Sequence, residues 1–593
     1  LEIGRQGMPR LASGHVWVKP DRPIPPDHIF EVAERIDFNG EIVTPLDEDG
    51  VVKAANRLNA AGIDSMAVAF IHSYADGTNE HRARDLILNS YADAHVSLSS
   101  EVLPVFREYE RIMTTVLNAY VMPQVSYYVE KLQKKLKERG INASLLIMKS
   151  SGGVIGVETA VRQPVYTALS GPAAGVMAAK HFGDMTGLKD LISFDMGGTS
   201  TDVSLIPEGN VTSSMEGRLG DWPMHLPMVD IATIGAGGGS IAWLTQSGNL
   251  AIGPQSAGAQ PGPVCYGLGG TEPTVTDANI VLGRISTDIA GGSVKLNVLE
   301  ARSAINKRIA EPLGMTPEQA ANGVVKIVNN SMMGAIRNVS VERGYDPRAF
   351  TLVAFGGAGP MHAVAVAELL GIPKVLIPRN PGVSSAYGLL VADFKNDYAR
   401  TFIQKPPDYD LNAMEQVYKE LHEEAIYWLD VERVPVSERA LVRSADLRYM
   451  HQGFEVNAEF KGSRVNRKAI QDLIKEFHIK HEQLFGFSLD QPVEIVTLRV
   501  SAIGQMGSRH TPKVNGNAGA LEHAIRERRE VYLDQEDSFL TCDIYDRESL
   551  SSGALIKGPA IIEGIDSTVV IEPNWAALID DYGNCIIDNT QGG

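Results

Sequence analysis

The sequence predicts an α/β fold followed by a C-terminal α+β domain that is rich in strands. Short apolar runs alternate with helical segments over most of the chain, which is the pattern of α/β proteins. Glycine is frequent, 57 of 593 residues, and much of it falls in short clusters, which are typical of loops that bring the backbone close to another group. From about residue 396 the glycine clusters cease and acidic and aromatic residues increase.

The first part of the chain predicts helices around buried strands. Helical segments are expected over Val51–Gly62 and Asn79–Tyr91, with a strand over Met66–Ile71 between them. A long helix is predicted from Arg107 to Gly140, because glycine is a common helix end. A further strand is predicted over Ser144–Met148.

The middle of the chain repeats this alternation. Leu191–Phe194 and Val203–Ile206 are apolar runs whose connection is too short for a crossover helix, so they predict a β-hairpin. Thr316-Pro-Glu-Gln319 has the residue order of a capped helix start. Strands are predicted over Thr351–Phe355 and Lys374–Pro378.

The last part predicts an amphipathic helix that is stopped by Gly486, and then short strands such as Ala560–Glu563. We therefore predict three domains, over residues 1–165, 166–395 and 396–593. No tandem repeat is visible.

Composition excludes several classes of function. The net charge of −18 argues against nucleic acid as a partner. No apolar run reaches the roughly 18 residues that a membrane helix needs. The three cysteines (Cys265, Cys542 and Cys585) are scattered, which indicates no disulfide framework and a cytoplasmic protein. Leu1–Arg5 resembles the interior of a domain, so we expect that a leading segment is missing from this sequence.

The strongest local motif is Phe194-Asp-Met-Gly-Gly-Thr-Ser-Thr-Asp202. Adjacent glycines allow backbone N–H groups to surround an anion, and neighbouring hydroxyls add donors. Carboxylates repel phosphate, so they indicate a Mg²⁺ ion or an oriented water molecule between acid and phosphate. The predicted phosphate-binding residues are Gly197, Gly198, Thr199, Ser200 and Thr201, the predicted catalytic residues are Asp195 and Asp202, and Asp195 is the predicted metal ligand. The alternative is a tight turn whose side chains satisfy its own backbone.

A second glycine motif is Ala354-Phe-Gly-Gly-Ala-Gly-Pro-Met-His362, where a strand leads into a helix with Pro360 in its first turn. A helix N-terminus suits a phosphate or a nucleotide, so the glycines of this motif (Gly356, Gly357 and Gly359) are predicted to bind the cofactor. Close packing of strand on helix is the alternative. The motif lacks the dinucleotide spacing, and the chain contains no ordinary P-loop.

A third glycine run, Ile234-Gly-Ala-Gly-Gly-Gly-Ser240, follows a predicted strand over Val229–Ile234. Its Gly237 and Gly238 are predicted to contact the same ligand, with a flexible turn as the alternative. Ser170–Gly175 is predicted to be a structural turn between a strand and a helix.

Other candidate residues favour structural roles. Gly262–Gly267 and Thr271–Asn279 are predicted polar loops, and Cys265 within the first is interpreted as a packing residue. His72 and His362 are interpreted as structural histidines. The histidines and cysteines show no zinc-binding spacing.

Several motifs together resemble the hydantoinase A/oxoprolinase family of actin-like ATPases. The resembling segments are Phe106–Arg111, Thr115–Tyr120, Leu169–Gly175, Phe194–Asp202, Gly235–Ser240, Gly270–Asp277, Ser340–Gly344, Phe355–Pro360 and Gly558–Glu563. The resemblance implies two ribonuclease-H-like lobes that close on ATP, and a C-terminal domain. It also implies ATP and Mg²⁺ as cofactors, a B-type partner subunit in a hetero-oligomer, and a small cyclic amide or ketone substrate. The family begins with a D-x-G-G-T-x-T-D loop of its own, and this sequence contains only the later copy at Asp195–Asp202. Either the segment with the first copy is missing from this sequence, or the protein cannot close fully on ATP.

The implied reaction is the ATP-dependent opening of a hydantoin, 5-oxoproline or related lactam. A ring amide is a poor electrophile, and phosphorylation converts its carbonyl oxygen into a leaving group. Such a transfer depends on positioning and charge neutralisation, and no Ser/His/Asp triad is visible. The alternatives are an acetone- or acetophenone-type carboxylase subunit and a non-catalytic nucleotide switch; a sugar kinase would leave the C-terminal domain unexplained.

Overall fold

The structure is a computed structural model that describes residues 22–292, 294–507, 511–514, 521–534 and 537–590. Backbone contacts divide the chain into two compact units. Unit 1 contains the described residues up to 170 together with 213–228 and 393–507; unit 2 contains 171–212, 229–392 and the described residues beyond 508. The three consecutive domains expected from the sequence stay a prediction. The interpretation of Leu1–Arg5 falls outside the described residues.

Unit 1 is built on a six-stranded sheet. The strands of the whole unit are β1 (Arg35–Ile36), β2 (Ile42–Thr44), β3 (Ser65–Val68), β4 (His95–Leu98), β5 (Leu146–Met148), β6 (Val154–Gly156), β9 (Ser213–Leu219), β10 (Trp222–Val229), β18 (Phe394–Gln404), β19 (Arg439–Tyr449), β20 (Val456–Glu459) and β21 (Val493–Gly504). The order in the main sheet is β20-β19-β21-β18-β6-β5, and β1–β2, β3–β4 and β9–β10 form separate pairs.

The helices of unit 1 cover this sheet and its neighbouring strands. They are α1 (Glu48–Ala60), α2 (Thr78–Ser90), α3 (Ser99–Val102), α4 (Glu108–Glu138), α5 (Val157–Arg162), α13 (Leu411–Val431) and α14 (Arg467–Phe485). Helices α13 and α14 pack their apolar residues on alternate positions of β19 and β21, and together these form one core. The predicted long helix up to Gly140 and the amphipathic helix up to Gly486 are confirmed, and both glycines have positive φ.

Unit 2 contains the larger, eight-stranded sheet. Its strands are β7 (Leu191–Met196), β8 (Thr201–Ile206), β11 (Ala232–Ile234), β12 (Ser240–Leu244), β13 (Leu250–Ser256), β14 (Asp288–Ile289), β15 (Val294–Lys295), β16 (Thr351–Phe355), β17 (Lys374–Ile377), β22 (Ile525–Leu533), β23 (Ser538–Asp546), β24 (Leu555–Lys557), β25 (Ala560–Glu563), β26 (Thr568–Ile571), β27 (Trp575–Ile579) and β28 (Cys585–Asn589). The strand order in the eight-stranded sheet is β11-β8-β7-β16-β17-β28-β27-β24. Unit 2 also contains a four-stranded sheet with the order β22-β23-β25-β26.

The helices of unit 2 lie on these sheets. They are α6 (Ser170–Thr186), α7 (Val275–Val281), α8 (Val298–Ile305), α9 (Glu311–Leu313), α10 (Pro317–Val339), α11 (Gly359–Leu370) and α12 (Ser384–Val391). Helix α10 begins at the predicted capping box between Thr316 and Gln319, and its apolar stripe packs against β8 and α7 in the main core. The predicted α/β fold class is confirmed. Both main sheets contain parallel and antiparallel strand pairs.

Three local predictions were wrong. The predicted strand Val229–Ile234 is broken at Asp230, whose carboxylate pairs with Arg343. Ser170–Gly175 is the first part of α6 rather than a turn. Its small residues let the helix pack closely, because Ala173 is fully buried and a Cβ at Gly175 would lie 2.9 Å from the Phe355 ring. Thr271–Asn279 is not entirely loop: Thr274 and Asp277 form a capping box that starts α7.

No helix in the described ranges combines the length and the apolar character that crossing a bilayer requires.

Close packing of α12 on α6 yields a stability prediction. A Cβ at Gly388 would come within 1.8 Å of the Ala174 carbonyl oxygen, whereas a Cβ at Gly334 in α10 would meet nothing within 4 Å. We expect Gly388→Ala to lower the free energy of unfolding by about 2 kcal/mol or more, and Gly334→Ala to leave it unchanged or raise it by up to about 1 kcal/mol. Urea unfolding of both variants checks this, and equal destabilisation would contradict the packing described.

Candidate functional site

The candidate site lies at one edge of the eight-stranded sheet of unit 2. Strands β7 and β16 run parallel, with Asp195 opposite Phe355, so the chain leaves both strands at the same edge. Strands β7 and β8 form the predicted hairpin, whose turn is closed by a 3.0 Å hydrogen bond from the Gly197 amide to the Ser200 carbonyl. Ligands of α/β proteins commonly bind at the carboxyl ends of parallel strands.

The third glycine run braces this hairpin from one side. The amides of Gly238 and Gly239 donate to the carbonyls of Gly197 and Gly198, at 3.0 and 2.7 Å. A Cβ at Gly237 would lie 2.6 Å from backbone atoms of the turn, so only glycine fits there. The Gly237 amide donates to the Ser240 hydroxyl at 2.8 Å. The amides of Gly237 and Gly238 are therefore used within the protein, and the loop positions the hairpin.

The G-G-x-G segment supports the hairpin from the other side. Gly356 has a φ of +81°, and its Cβ would lie 2.4 Å from the Asp195 carboxylate. The Ala358 amide donates to the Met196 carbonyl at 3.0 Å. Gly357 is exposed, Gly359 is buried, and α11 begins at Gly359 with Pro360 in its first turn, as predicted.

The tip of the hairpin keeps free hydrogen-bond donors. Within the described part of the chain, the backbone amides of Gly198 and Thr199 make no hydrogen bond, and both residues are exposed. A Cβ at Gly197 or Gly198 would meet no atom within 4 Å. Successive unpaired amides at an open glycine turn form a concave anion site. This arrangement can hold phosphate oxygens.

Two carboxylates face one another across the hairpin. Asp195 and Asp202 are direct cross-strand partners, a like-charge arrangement that destabilises a sheet. Ser385 donates to Asp195 at 2.8 Å, and Thr233 donates to Asp202 at 2.5 Å. Burial raises the pKa of Asp195; the Ser385 hydrogen bond opposes this rise, and the charge of Asp202 adds to it. Burial likewise raises the pKa of Asp202, against the Thr233 hydrogen bond.

This carboxylate pair fits a divalent cation. Such an ion is bound by oxygen ligands, and its charge would offset the repulsion between the two acids. Among the described residues, no group of three or more His, Cys, Asp or Glu side chains could hold a metal ion alone. A cation at this carboxylate pair would need further oxygen ligands in addition to the two acids.

The hydroxyl groups of the motif have different environments. Thr201 is fully buried and donates to the Ala236 carbonyl at 2.5 Å, so it joins the hairpin to the third glycine run. Thr199 is exposed at the tip, and Ser200 is half-buried. Only the last two are placed to contact a bound anion.

Cys265 and His362 are structural, as the sequence suggested. Cys265 is fully buried, and burial together with Asp277 raises the pKa of its thiol far above neutrality, so it is not a nucleophile at neutral pH. His362 is buried with Nδ1 2.8 Å from the Asn329 amide oxygen. Burial, and then the Arg284 charge, lowers the pKa of His362 to about 3, which keeps it neutral.

The sequence interpretation missed Ser385 and Thr233, the hydrogen-bond donors of the two acids. Ser385 lies at the start of α12, after β17, which is parallel to β16 and ends at the same sheet edge. The short Pro381-Gly-Val-Ser-Ser385 segment after that strand was the available signal. Thr233 lies opposite Asp202 on β11, and no local pattern indicates that pairing.

Fold and site together define an α/β protein whose candidate anion-binding hairpin lies at the carboxyl ends of parallel strands. Three segments of the chain match the hydantoinase/oxoprolinase family: the N-terminal region at residues 1–91, the central hydantoinase/oxoprolinase domain at 111–398, and the C-terminal domain at 408–585. The chain belongs to the hydantoinase/oxoprolinase family, which confirms the resemblance seen in its motifs.

Several kinds of proteins are similar to this chain over most of its length. The chain is 38% identical to an uncharacterized protein of Methanocaldococcus jannaschii, covering 98% of this chain and 85% of that protein. It is 34% identical to the caprolactamase subunit alpha of Pseudomonas jessenii, and the match covers 94% of this chain and 82% of that protein. It is 32% identical to the acetophenone carboxylase gamma subunit of Aromatoleum aromaticum, and the match covers 96% of this chain and 80% of that protein.

Solved structures extend this similarity to the fold. The crystal structure of the ATP-dependent caprolactamase from Pseudomonas jessenii matches with a TM-score of 0.90 and 33% identity, covering 99% of this chain and 86% of that chain. A nucleotide-free structure of acetone carboxylase matches with a TM-score of 0.74 and 27% identity, covering 94% and 81%. Both matches are consistent with the predicted actin-like ATPase fold.

The cysteine environments predict low thiol reactivity. Cys265, Cys542 and Cys585 are all buried, and burial is the largest cause that raises the pKa of Cys542 and of Cys585 to about 11. We expect fewer than about 0.1 equivalents of thiol to react with Ellman's reagent at pH 8 in the native protein, because protonated, buried thiols are poor nucleophiles. All three should react in guanidinium chloride; rapid native labelling would contradict the described burial.

Proposed function

We propose that this chain is an ATP-dependent subunit that phosphorylates and opens a cyclic amide, such as a hydantoin, 5-oxoproline or a related lactam. The observation that carries the proposal is that the exposed amides of Gly198 and Thr199, beside the Asp195–Asp202 pair, have no hydrogen-bond partner among the residues that the structure describes. The proposal is supported by similarity to a caprolactamase subunit alpha and to an ATP-dependent caprolactamase structure.

In this function the residues of the site have different roles. The amides of Gly198 and Thr199, with the hydroxyls of Thr199 and Ser200, bind phosphate oxygens at the hairpin tip. Asp195 holds Mg²⁺. Asp202 orients a water molecule or adds its negative charge to the cation site. The exposed Gly357, together with Gly356 and Gly359, flanks the nucleoside; Thr201, Gly237 and Gly238 hold the hairpin in position.

ATP, when bound, supplies a phosphoryl group that makes an amide carbonyl oxygen a leaving group. The protein contributes fixed donors and a cation site, which is the electrostatic preorganisation that phosphoryl transfer requires. The relatives named as alpha and gamma subunits favour a partner chain, and we propose a hydantoinase B-type subunit in a hetero-oligomer.

A second candidate is the ATP-using subunit of an acetone- or acetophenone-type carboxylase, which is favoured by 32% identity to an acetophenone carboxylase gamma subunit. Steady-state ATP turnover of the chain, with and without a B-type partner, would separate the candidates across hydantoin, 5-oxoproline, caprolactam, and acetone with bicarbonate. Stimulation by a cyclic amide supports the main proposal and stimulation only by the ketone supports the carboxylase. Indifference to every compound, with the partner present, indicates a nucleotide switch.

Substitution at the hairpin tests the nucleotide site. We expect Asp195→Asn to lower the rate of ATP turnover at least about 100-fold, because it removes a charge from the proposed cation site, while the melting temperature stays near that of the wild type. Asp190→Asn is the matched control: this acid precedes the same strand and accepts a hydrogen bond from the Glu208 amide at 2.9 Å. Wild-type turnover in Asp195→Asn would refute the assignment.

Ser385 should influence the pH dependence of turnover. Its hydrogen bond lowers the pKa of Asp195, which burial raises, so Ser385→Ala should raise that pKa further. Because ionised Asp195 is the form that holds a cation, activity on the acid side should be lost at a higher pH than in the wild type. Ser384→Ala is the control, since its hydroxyl donates to the Asn380 carbonyl instead. Identical acid limbs in Ser385→Ala and wild type would contradict this role.

A further inference from the structure

The four-stranded sheet of unit 2 contains a tight hairpin between β25 and β26. These strands are antiparallel, and the Gly564 amide donates to the Ser567 carbonyl at 2.8 Å. Only Ile565 and Asp566 lie between these two residues, which makes a two-residue hairpin loop. We name Gly564–Ser567 the C-terminal turn. Because its loop is so short, the paired strands fix the position of Asp566 closely.

The carboxylate of Asp566 holds a backbone amide from a distant part of the chain. Its Oδ2 accepts a hydrogen bond from the Gly382 amide at 2.8 Å, across 184 residues of sequence. A Cβ at Gly382 would lie 2.8 Å from the Asp566 Cβ, so this approach requires glycine. Aspartate in a turn often bonds its own backbone, whereas the local contact here is a long 3.3 Å donation from the Ser567 hydroxyl to Oδ1. The carboxylate therefore serves the distant amide.

The bonded glycine belongs to the segment that leads from β17 into α12, Pro381–Ser385, which we name the β17 segment. The Gly356 amide donates to the Pro381 carbonyl at 2.9 Å, so the first residue of the segment contacts the G-G-x-G loop. The last residue, Ser385, donates to Asp195 at 2.8 Å. The amide that the C-terminal turn holds lies between these two contacts.

The β17 segment is short and regular enough to transmit a displacement. Pro381 begins a 3₁₀ turn that reaches Val383, and α12 begins at the next residue, Ser384. Packed, regular elements of this kind carry a shift from one end to the other. Because Gly382 and Ser385 lie in consecutive helical turns, a shift of the Gly382 amide would move Ser385 as well.

The same sheet also supports the G-G-x-G loop. Helix α11, which follows that loop, packs Met361 with Ile561 and Val570 of β25 and β26 in one apolar cluster. A Cβ at Gly357 would lie 3.9 Å from the Asp566 carbonyl oxygen, which is an ordinary contact distance. The C-terminal turn therefore adjoins both segments that leave β16 and β17 at the candidate site.

We propose that Asp566 is a positioning residue for the nucleotide site, which holds the β17 segment in the place where the Ser385 hydroxyl reaches Asp195. The inference rests on the proposed function, since it assigns Asp566 to ATP turnover. Asp566 acts through the Gly382 amide and through Ser385. The phosphate-binding amides at the tip of the β7–β8 hairpin are braced by the third glycine run instead. Asp566 therefore supports turnover more than it supports nucleotide binding.

Steady-state ATP turnover of the full chain tests the proposal. We expect Asp566→Ala to lower kcat at least about fivefold, with the KM for ATP changed less than about twofold, because a small displacement of a catalytic carboxylate is costly. Asp566→Asn should restore kcat to within about twofold of the wild type, because the asparagine oxygen still accepts a hydrogen bond. A merely structural role would not separate the two variants in this way. Equal loss of kcat in both would contradict the proposal.

Two further variants complete this comparison. Asp543→Ala removes another acid of the same sheet, whose carboxylate accepts from Arg528 at 2.9 Å, and it should leave kcat and KM unchanged. Gly382→Ala disturbs the proposed contact from the other side, because its Cβ would lie 2.9 Å from the Asp566 carboxylate. It should lower kcat as Asp566→Ala does, and it keeps the test valid if Asp566→Ala folds poorly. Wild-type kcat in both would overturn the proposal.

A double-mutant cycle tests the route through Ser385. Independent effects on kcat multiply, whereas residues that act through one contact are not additive. In a Ser385→Ala background, Asp566→Ala should therefore lower kcat by less than about twofold further. A further loss as large as that of Asp566→Ala alone would refute the route through Ser385.

Hydrogen exchange of the full chain without nucleotide separates the inference from the proposed function. The Gly382 amide should exchange at least about tenfold faster in Asp566→Ala than in the wild type, because its acceptor is lost, and Asp543→Ala should not change it. Unchanged exchange in folded Asp566→Ala would overturn the inference alone, as would wild-type turnover in Asp566→Ala when Asp195→Asn has lost turnover. Wild-type turnover in Asp195→Asn would overturn the proposed function, and the inference with it.

Discussion

The candidate site depends on glycine contacts that hold one hairpin from two sides. Gly237 approaches the turn so closely that a Cβ would lie 2.6 Å from its backbone, and a Cβ at Gly356 would lie 2.4 Å from the Met196 carbonyl oxygen. These contacts use main-chain atoms, which cannot move aside as a flexible side chain can. The hairpin is thereby held while the amides at its tip stay available.

That constraint also explains the placement of the acids. Fixing β7 against β8 brings Asp195 and Asp202 into direct opposition, and burial makes the repulsion more costly. Ser385 and Thr233 each satisfy one carboxylate without neutralising it. An arrangement that is unfavourable for stability and carefully hydrogen-bonded is typical of functional sites.

The sequence predicted the parts of this architecture that local chemistry determines. The hairpin, β16 and the start of α11 follow from apolar runs, glycines and Pro360, and the start of α10 follows from its capping box. Long-range pairing was not predictable in this way. Strands β24, β27 and β28 join the sheet of β7 although more than 300 residues separate them in sequence.

The same limit applies to the site. Glycine spacing indicated which loops matter, but it could not distinguish the exposed amides of Gly198 and Thr199 from the amides of Gly237 and Gly238, which are used internally. Thr233 has no unusual sequence context, because its significance comes from its pairing with Asp202, which is distant in the chain.

A crystal structure of the chain with a non-hydrolysable ATP analogue and Mg²⁺ tests the central claim most directly. The account predicts terminal phosphate oxygens within hydrogen-bonding distance of the Gly198 and Thr199 amides, with the metal ion beside Asp195. A nucleotide bound elsewhere, with the hairpin tip contacting no phosphate, would contradict it.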